Sequence, residues 1–398
     1  MRLLKFLGFF LAFAIPLIGS IFFLNRDVFF SVYENREALA DGSEWIEKTY
    51  SLSGLVEFIE EHPRHVSVVS YDIDDPESGI YFQPNKKRVM GTLGHIFMLI
   101  EYARQVSAGE LDPEELVSLD AIARYQLPNI EANSHREAVR SLRDRDRVMS
   151  GKRIRISDAV SMMIRHNNLG AADFLYYFLG PQNITELVAG LGGSRIDAPL
   201  PWSGLHISVN PSFHETTAAA RYGELLSRTA GDRTDEVQAY ALAYQNDEAF
   251  RNRVSQSFRP SGLGISFRDE RLMYGMFPRA DPVALAGILE QIMRGELISG
   301  QASAIVTDYL SWPMESGNIV RNFDFYAALY DNRISLLNGL DLGTSTYTKT
   351  QHVQVVLFEQ LPVGFWMHMS SNFMNQDYQQ RLIYDPALYE TSKSALTP

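Results

Sequence analysis

Thr92 and His95 stand three residues apart in GTLGHIFMLIEYARQ, and a hydroxyl followed by an imidazole at that spacing is suited to acyl transfer on an ester or amide. Residues i and i+3 share a helix face, so the hydroxyl could donate to a ring nitrogen that takes its proton, while the positive end of a helix favours a developing alkoxide. Two things work against the pair. β-Branching restricts threonine about χ1, and the same dipole disfavours a cationic histidine. The competing role is structural, with Thr92 capping the helix and His95 filling space. His166, Asn167 and Asn168 carry groups that would hydrogen-bond a peptide or glycan, or close Asx turns on their own backbone. His62 and His65 lie close together without the glutamate of a metalloprotease pattern, so no metal or other cofactor is expected.

The patterns around these residues supply elements to hold them. SLSGLVEFIEEH reads as an amphipathic helix, and HVSVVSYDI and IYFQP, on either side of DDPESG, read as a hairpin over 65–83. Residues 92–108 have helical spacing through Ile96, Leu99, Ile100 and Ala103, with Gly109 at the stop. ISDAVSMMIRHNN (156–168), AADFLYYFLG (171–180) and PQNITELVAGLGG follow as helices, and the pattern recurs at 216–228, 281–295 and in SGQASAIVTDYLSW. Near the end, ISLLNGLDLG, HVQVVLFEQ and GFWMHMSSN read as three extended runs. This order predicts an α/β (α+β) fold in which an antiparallel sheet from both chain ends is flanked by helices, with an inserted helical subdomain at about 208–280. That insertion carries Arg221, Arg228, Arg233, Arg251, Arg253, Arg259, Arg268, Arg271 and Arg279 among aromatics, a composition shared by protein interfaces and by charge-rich surface helices.

Charge and composition narrow the partners. With 36 basic and 48 acidic residues the net charge is −12, which opposes the phosphate neutralisation that nucleic-acid binding requires, so none is expected. Cysteine is absent, which excludes thiolate catalysis, disulfides and cysteine-built zinc sites. Arg2 and Lys5 precede an uncharged run, residues 6–24, nearly long enough at about 1.5 Å per residue to span a core of roughly 30 Å. The expectation is an uncleaved anchor over 1–25, a juxtamembrane segment over 26–50 and a domain over 51–385. The protein would then be a single-pass protein of the inner (cytoplasmic) membrane with its C-terminal domain extracytoplasmic, periplasmic in a Gram-negative host.

The hairpin 65–83, the helix 92–108 with SAGELD behind it, GKRIRISDAVSMMIRHNNLGAADFLYYFLG and DPVALAGILEQIMRGELISGQASA together resemble the class A serine β-lactamase and penicillin-interacting serine hydrolase superfamily. The resemblance covers roughly residues 50–375 outside the insertion. It implies a β-lactamase-like fold and three catalytic motifs: Ser-x-x-Lys at a helix start, Ser-Asp-Asn on a loop and Lys-Thr-Gly on a strand. Matching the flanks places these on Thr92-Leu93-Gly94-His95, Asn167-Asn168-Leu169 and Asp341-Leu342-Gly343, so every charged or nucleophilic slot is altered except for the hydroxyl of Thr92. No glutamate stands in DAPLPWSGL (197–205), where the deacylating acid should lie. The resemblance further implies oxyanion donors on the backbone of Thr92 and of Thr344 or Ser345. An aspartate at 341, in place of a cation, should repel an anionic substrate by about 4 kcal/mol at 4 Å and an effective dielectric near 20. Thr92 and His95 are thus candidate catalytic residues in altered positions, and Asn167, Asn168, Asp341, Gly343 and Thr344 candidate binding residues. The expected function is that of a β-lactamase-like protein without catalysis that binds cell-wall peptide or an envelope partner. The alternative is serine-hydrolase-type acyl transfer by Thr92 with His95.

Overall fold

The computed structural model describes residues 33, 35–258, 266–312 and 321–397. Among these, the strands are β1 (Val66–Asp72), β2 (Asp75–Phe82), β3 (Arg88–Val89), β4 (Leu116–Ser118), β5 (Arg153–Arg155), β6 (Arg279–Ala280), β7 (Phe323–Asp331), β8 (Asn338–Ser345) and β9 (Gln351–Phe358). The early hairpin β1–β2 and the late meander β7–β8–β9 join in one antiparallel sheet of order β2-β1-β9-β8-β7. The two ends of the chain meet at β1–β9, where Val66 opposes Phe358 and Asp72 opposes His352. The sheet built from both ends, with helices between them in sequence, is therefore what the chain forms.

Helices cover both faces of this sheet, which is why β9 reads as a nearly unbroken apolar run. Val353, Val355 and Leu357 enter the larger core, with the helix Pro282–Arg294 packed on them, while Val356 and Phe358 enter a second core under Leu52–Glu61 and the C-terminal helices Met374–Tyr384 and Pro386–Leu396. Each such side chain contributes about 1.5–3 kcal/mol by leaving water.

GFWMHMSSN is not a strand. It forms the helix Val363–Ser371 behind Pro362, and the signal was the four-residue spacing of Phe365 and Met369, both fully buried. Gly364 lets the short helix Arg36–Ala40 approach it: a Cβ there would stand 2.2 Å from the Leu39 carbonyl oxygen. The third strand is instead FDFYAALYD, which forms β7 at the sheet edge.

Within 208–280 the chain forms the helices Ala218–Ser227, Ala230–Asn246, Glu248–Ser257 and Phe267–Tyr274. Two of its arginines fasten it from within: Arg221, 1% exposed, pairs with Glu224 and Glu236, and Arg228 pairs with the same two carboxylates. Arg259 and most of FRPSGLGISF lie outside the described residues.

The expected localisation, single-pass in the inner membrane, is corrected. Among the described residues no helix is long and apolar enough to cross a membrane. The longest in the insertion, Ala230–Asn246, has 17 residues and carries Asp232, Arg233, Asp235 and Glu236. Residues 6–24, on which that expectation rested, lie outside the described residues.

A polar centre pins β3 and β6 to the sheet. Arg88, fully buried, donates to Ser67 Oγ and to the carbonyls of Pro63, Arg64 and Val66, and pairs with Glu359 at 3.1 Å. Arg279 reaches the same carboxylate at 2.8 Å. Burial pulls the Arg88 guanidinium down to about 10, against the opposing pull of Glu359.

Candidate functional site

Thr92 lies in a 3-10 turn, Gly91–Gly94, that feeds the helix His95–Ser107. The turn is possible because residue 91 is glycine: its φ is +59°, and a Cβ would stand 1.6 Å from Asp331 Oδ2. That carboxylate, at the end of β7, accepts the Thr92 backbone N–H at 2.8 Å. The amide expected to donate to an oxyanion therefore already donates to the protein's own anion.

The expected nucleophile–base pair does not form. Thr92 and His95 are both fully buried, and neither Thr92 Oγ1 nor His95 Nδ1 has a hydrogen-bond partner among the described residues. His95 Nε2 accepts from the indole N–H of Trp202 at 2.9 Å, with the rings edge to face. Accepting at Nε2 requires a neutral ring with its proton on Nδ1, where the Met163 carbonyl approaches without good hydrogen-bond geometry. Burial, reinforced by the nearby Arg333 cation, lowers His95 to about 3. The neighbouring His206 is lowered to about 3 for the same reasons, and its Nδ1 faces the Trp202 carbonyl.

Arg333, from the turn after β7, closes over this centre. Its guanidinium lies 4.5 Å above the Trp202 ring and pairs with Glu131 at 2.6 Å and Asp331 at 3.7 Å. Burial raises the Glu131 carboxyl against the pull of Arg333. Asp173 holds the start of the helix Trp202–Val209 by accepting from the Trp202 and Ser203 amides and the Ser203 hydroxyl; burial raises it to about 7. None of Asp331, Arg333, Glu131 or Trp202 was singled out in the sequence, where a charged residue in a turn reads as solvent-exposed.

The two asparagines separate in role. Asn167 ends the helix Ile156–His166 in the left-handed region (φ 49°), donates to the Tyr330 carbonyl at 3.2 Å and leaves its Oδ1 without a partner among the described residues. Asn168, fully buried, caps the helix Leu169–Leu179 through Ala171 N–H at 2.7 Å and reaches His135 with its amide, so both ends of its side chain are engaged within the protein.

Asp341, Gly343 and Thr344 are not beside Thr92. β8 is an interior strand, and Asp331 opposes Asn338 whereas Phe325 opposes Thr344, so Thr344 lies six residues away along the ladder, about 20 Å at 3.3 Å per residue. Thr344 and Gly343 sit within the ladder between β7 and β9, and Ser345 opposes Phe323 at its far end. Asp341 faces the opposite side of the sheet, buried with the Tyr326 and Tyr330 hydroxyls donating to it. Burial raises it to about 6, opposed by those hydrogen bonds and by Gln354. The expected repulsion of an anionic substrate by Asp341 is corrected accordingly. The strand that flanks Thr92 is β7, and a strand motif acting with Thr92 would have to lie there.

Between β7, the end of Ile156–His166 and the helix Gly300–Leu310 is an open cavity of about 430 Å³. Arg165, Asn167, Trp312, Tyr330, Asn332 and Gln376 line it, and Thr92 does not.

A model of the beta-lactamase enzyme family matches residues 53–266, just over half of the chain. Among solved structures, the chain is similar to a beta-lactamase from Sphaerobacter thermophilus at 12% identity and TM-score 0.50, covering 84% of this chain and 98% of that one. A beta-lactamase from Chitinophaga pinensis aligns at 12% identity and TM-score 0.49, over 84% of this chain and 99% of that one. No curated protein matches the sequence.

Proposed function

The chain belongs to the beta-lactamase enzyme family, and from that premise we propose that it binds a cell-wall-type peptide in the cavity beside β7 without forming an acyl-enzyme. The observation that carries this is the bond from the Thr92 amide to Asp331. Acyl transfer needs a nucleophile with a base and donors aimed at the developing oxyanion. Here a carboxylate occupies the donor, and a second anion 4 Å from it would meet about 4 kcal/mol of repulsion at an effective dielectric near 20. The neighbouring imidazole, lowered to about 3 and bonded to Trp202, is too weak a base at neutral pH to take a hydroxyl proton.

The cavity has the groups that a peptide terminus asks for. Arg165, exposed, offers a cation to a carboxylate; Asn167, Asn332 and Gln376 offer amides to peptide groups; Trp312 and Tyr330 offer flat faces. The test is calorimetric titration of the full chain with a synthetic acyl-tripeptide carrying a free carboxylate, beside its carboxamide. The acid should bind about tenfold more tightly, and Arg165→Ala should remove that difference. Equal binding of acid and amide by the wild type would overturn the site assignment. Intact mass after incubation with a penicillin should be unchanged, and an adduct that vanishes in Thr92→Ala would overturn the absence of acyl transfer.

A further inference from the structure

The insertion and the segment before it line a second open cavity, of about 530 Å³, that shares no lining residue with the one beside β7. One face of the helix Ala230–Asn246 forms a wall of it: Ala230, Arg233, Thr234, Val237 and Gln238 recur at the three- and four-residue spacing that stacks side chains along a helix. Opposite stand Leu205 and Val209 of Trp202–Val209, Leu225 of Ala218–Ser227, and Met276 and Phe277. Leu226, 57% exposed, stands at the rim. The volume falls within the range of roughly 300–1,000 Å³ of small-molecule sites, which are mostly apolar with a few convergent polar groups.

The charges at this cavity are unequal. Arg279 is neutralised by Glu359, and Asp197 by Lys87. Arg233 is not neutralised: its Nη1 donates to the backbone carbonyls of Leu225 and Arg228, at 3.2 and 2.7 Å, and no carboxylate among the described residues lies within ion-pairing distance of it. A half-buried guanidinium without a counter-ion among the described residues, lining a cavity of mainly apolar surface, complements a negative head on an apolar tail.

We propose that this cavity is a binding site for a single-chain anionic amphiphile, with its acyl chain among Leu205, Val209, Val237 and Phe277 and its carboxylate or phosphate head on Arg233. It shares no lining residue with the peptide cavity, and its Phe277 packs against Trp202 and His206 of the Thr92 centre.

The test is calorimetric titration of the full chain, below micelle-forming concentrations, with dodecanoate, dodecyl phosphate and dodecanol. Both anions should bind about tenfold or more tightly than the alcohol, and whichever anion binds tighter names the head group. Arg233→Gln should bring all three within about threefold of one another by weakening the anions alone. Ala230→Trp, at an exposed rim position where the fold can accept it, should weaken all three by about tenfold by filling the mouth. Equal binding of dodecanoate and dodecanol by the wild type, absence of saturable binding, or undiminished binding by Ala230→Trp would each overturn the proposal. Circular dichroism of both variants separates loss of site from loss of fold.

Discussion

Two buried polar centres in this molecule carry similar charges and differ in how completely these are used. Around Arg88, the guanidinium reaches Ser67, three backbone carbonyls and Glu359, and Arg279 shares that carboxylate. Around Thr92, a hydroxyl and two ring nitrogens have no partner among the described residues, and Arg333 meets its carboxylates without good hydrogen-bond geometry. Buried polar groups in folded proteins are overwhelmingly satisfied, so the contrast separates a centre that holds the fold from one that the fold tolerates. The second contains Thr92 and His95, the residues that the sequence resemblance places at altered motif positions.

The largest expected effect tests the first centre. Glu359→Gln should destabilise the protein by about 3–5 kcal/mol, because it strands Arg88 in the interior, and replacing Arg88 and Glu359 together by methionine should not restore stability, since three carbonyls lose their donor. Urea unfolding reads both. The Thr92 centre should behave differently: Glu131→Met costs about 1–3 kcal/mol, while Glu131→Met with Arg333→Met lies closer to wild type than either single change. If that double variant is as damaged as the sum of its parts, the two centres are alike and the contrast is lost.

A smaller effect follows from pH. His206 titrates near 3 when folded and near 6.5 when unfolded, so the unfolded chain gains a proton first and the residue costs stability progressively as pH falls from about 6.5 towards 3. Asp173, and Glu270 of the helix Phe267–Tyr274, which accepts from the Tyr274 hydroxyl, are both raised to about 7 by burial and work in the opposite direction: their cost grows as pH rises from the ordinary carboxylate range and is complete above about 7. The two slopes overlap, so the informative quantity is a difference. Wild type minus His206→Phe should become steadily less favourable to the wild type between pH 6.5 and 4.5, and a flat difference would mean that the imidazole is solvated. The smallest effect is at Thr92 itself, where Thr92→Val should change stability by no more than about 1 kcal/mol, because the hydroxyl makes no bond to lose.

Much of the fold was legible because periodicity reports burial. β1, the later part of β2, β8, β9 and the helices that carry Ile96–Ala103 and Leu285–Ile292 all announce themselves by spacing, while Asp75–Gly79, read as turn residues, belong to β2. β7 was passed over because FDFYAALYD mixes an apolar run with tyrosines that turn inward to Asp341, and Val363–Ser371 was misread because Phe365, Met367 and Met369 also fit a period of two. Thr92, His95 and Asn167 stood out in the sequence as altered positions of local motifs, although Thr92 and His95 do not pair and only Asn167 lines the cavity beside β7. The candidate site was not legible at Asp331, Arg333 or Glu131, since their meeting depends on the sheet edge folding back over a turn some 240 residues earlier, as the bond from Thr92 to Asp331 shows. Asp341 misled for a related reason: a match by flanking sequence does not say which side of a strand a side chain faces, and one residue of register moves it through the sheet.

The occupation of the space beside Gly91 by Asp331 bears on the routes open to sequence change. Any side chain at 91 collides with that carboxylate and sits at a φ of +59°, and shortening residue 331 first removes the acceptor of the Thr92 amide and leaves a buried donor alone. The two positions are therefore coupled: a side chain at 91 needs a shorter residue at 331, and a shorter residue at 331 leaves the Thr92 amide without its acceptor, so either change made alone gives a less stable protein.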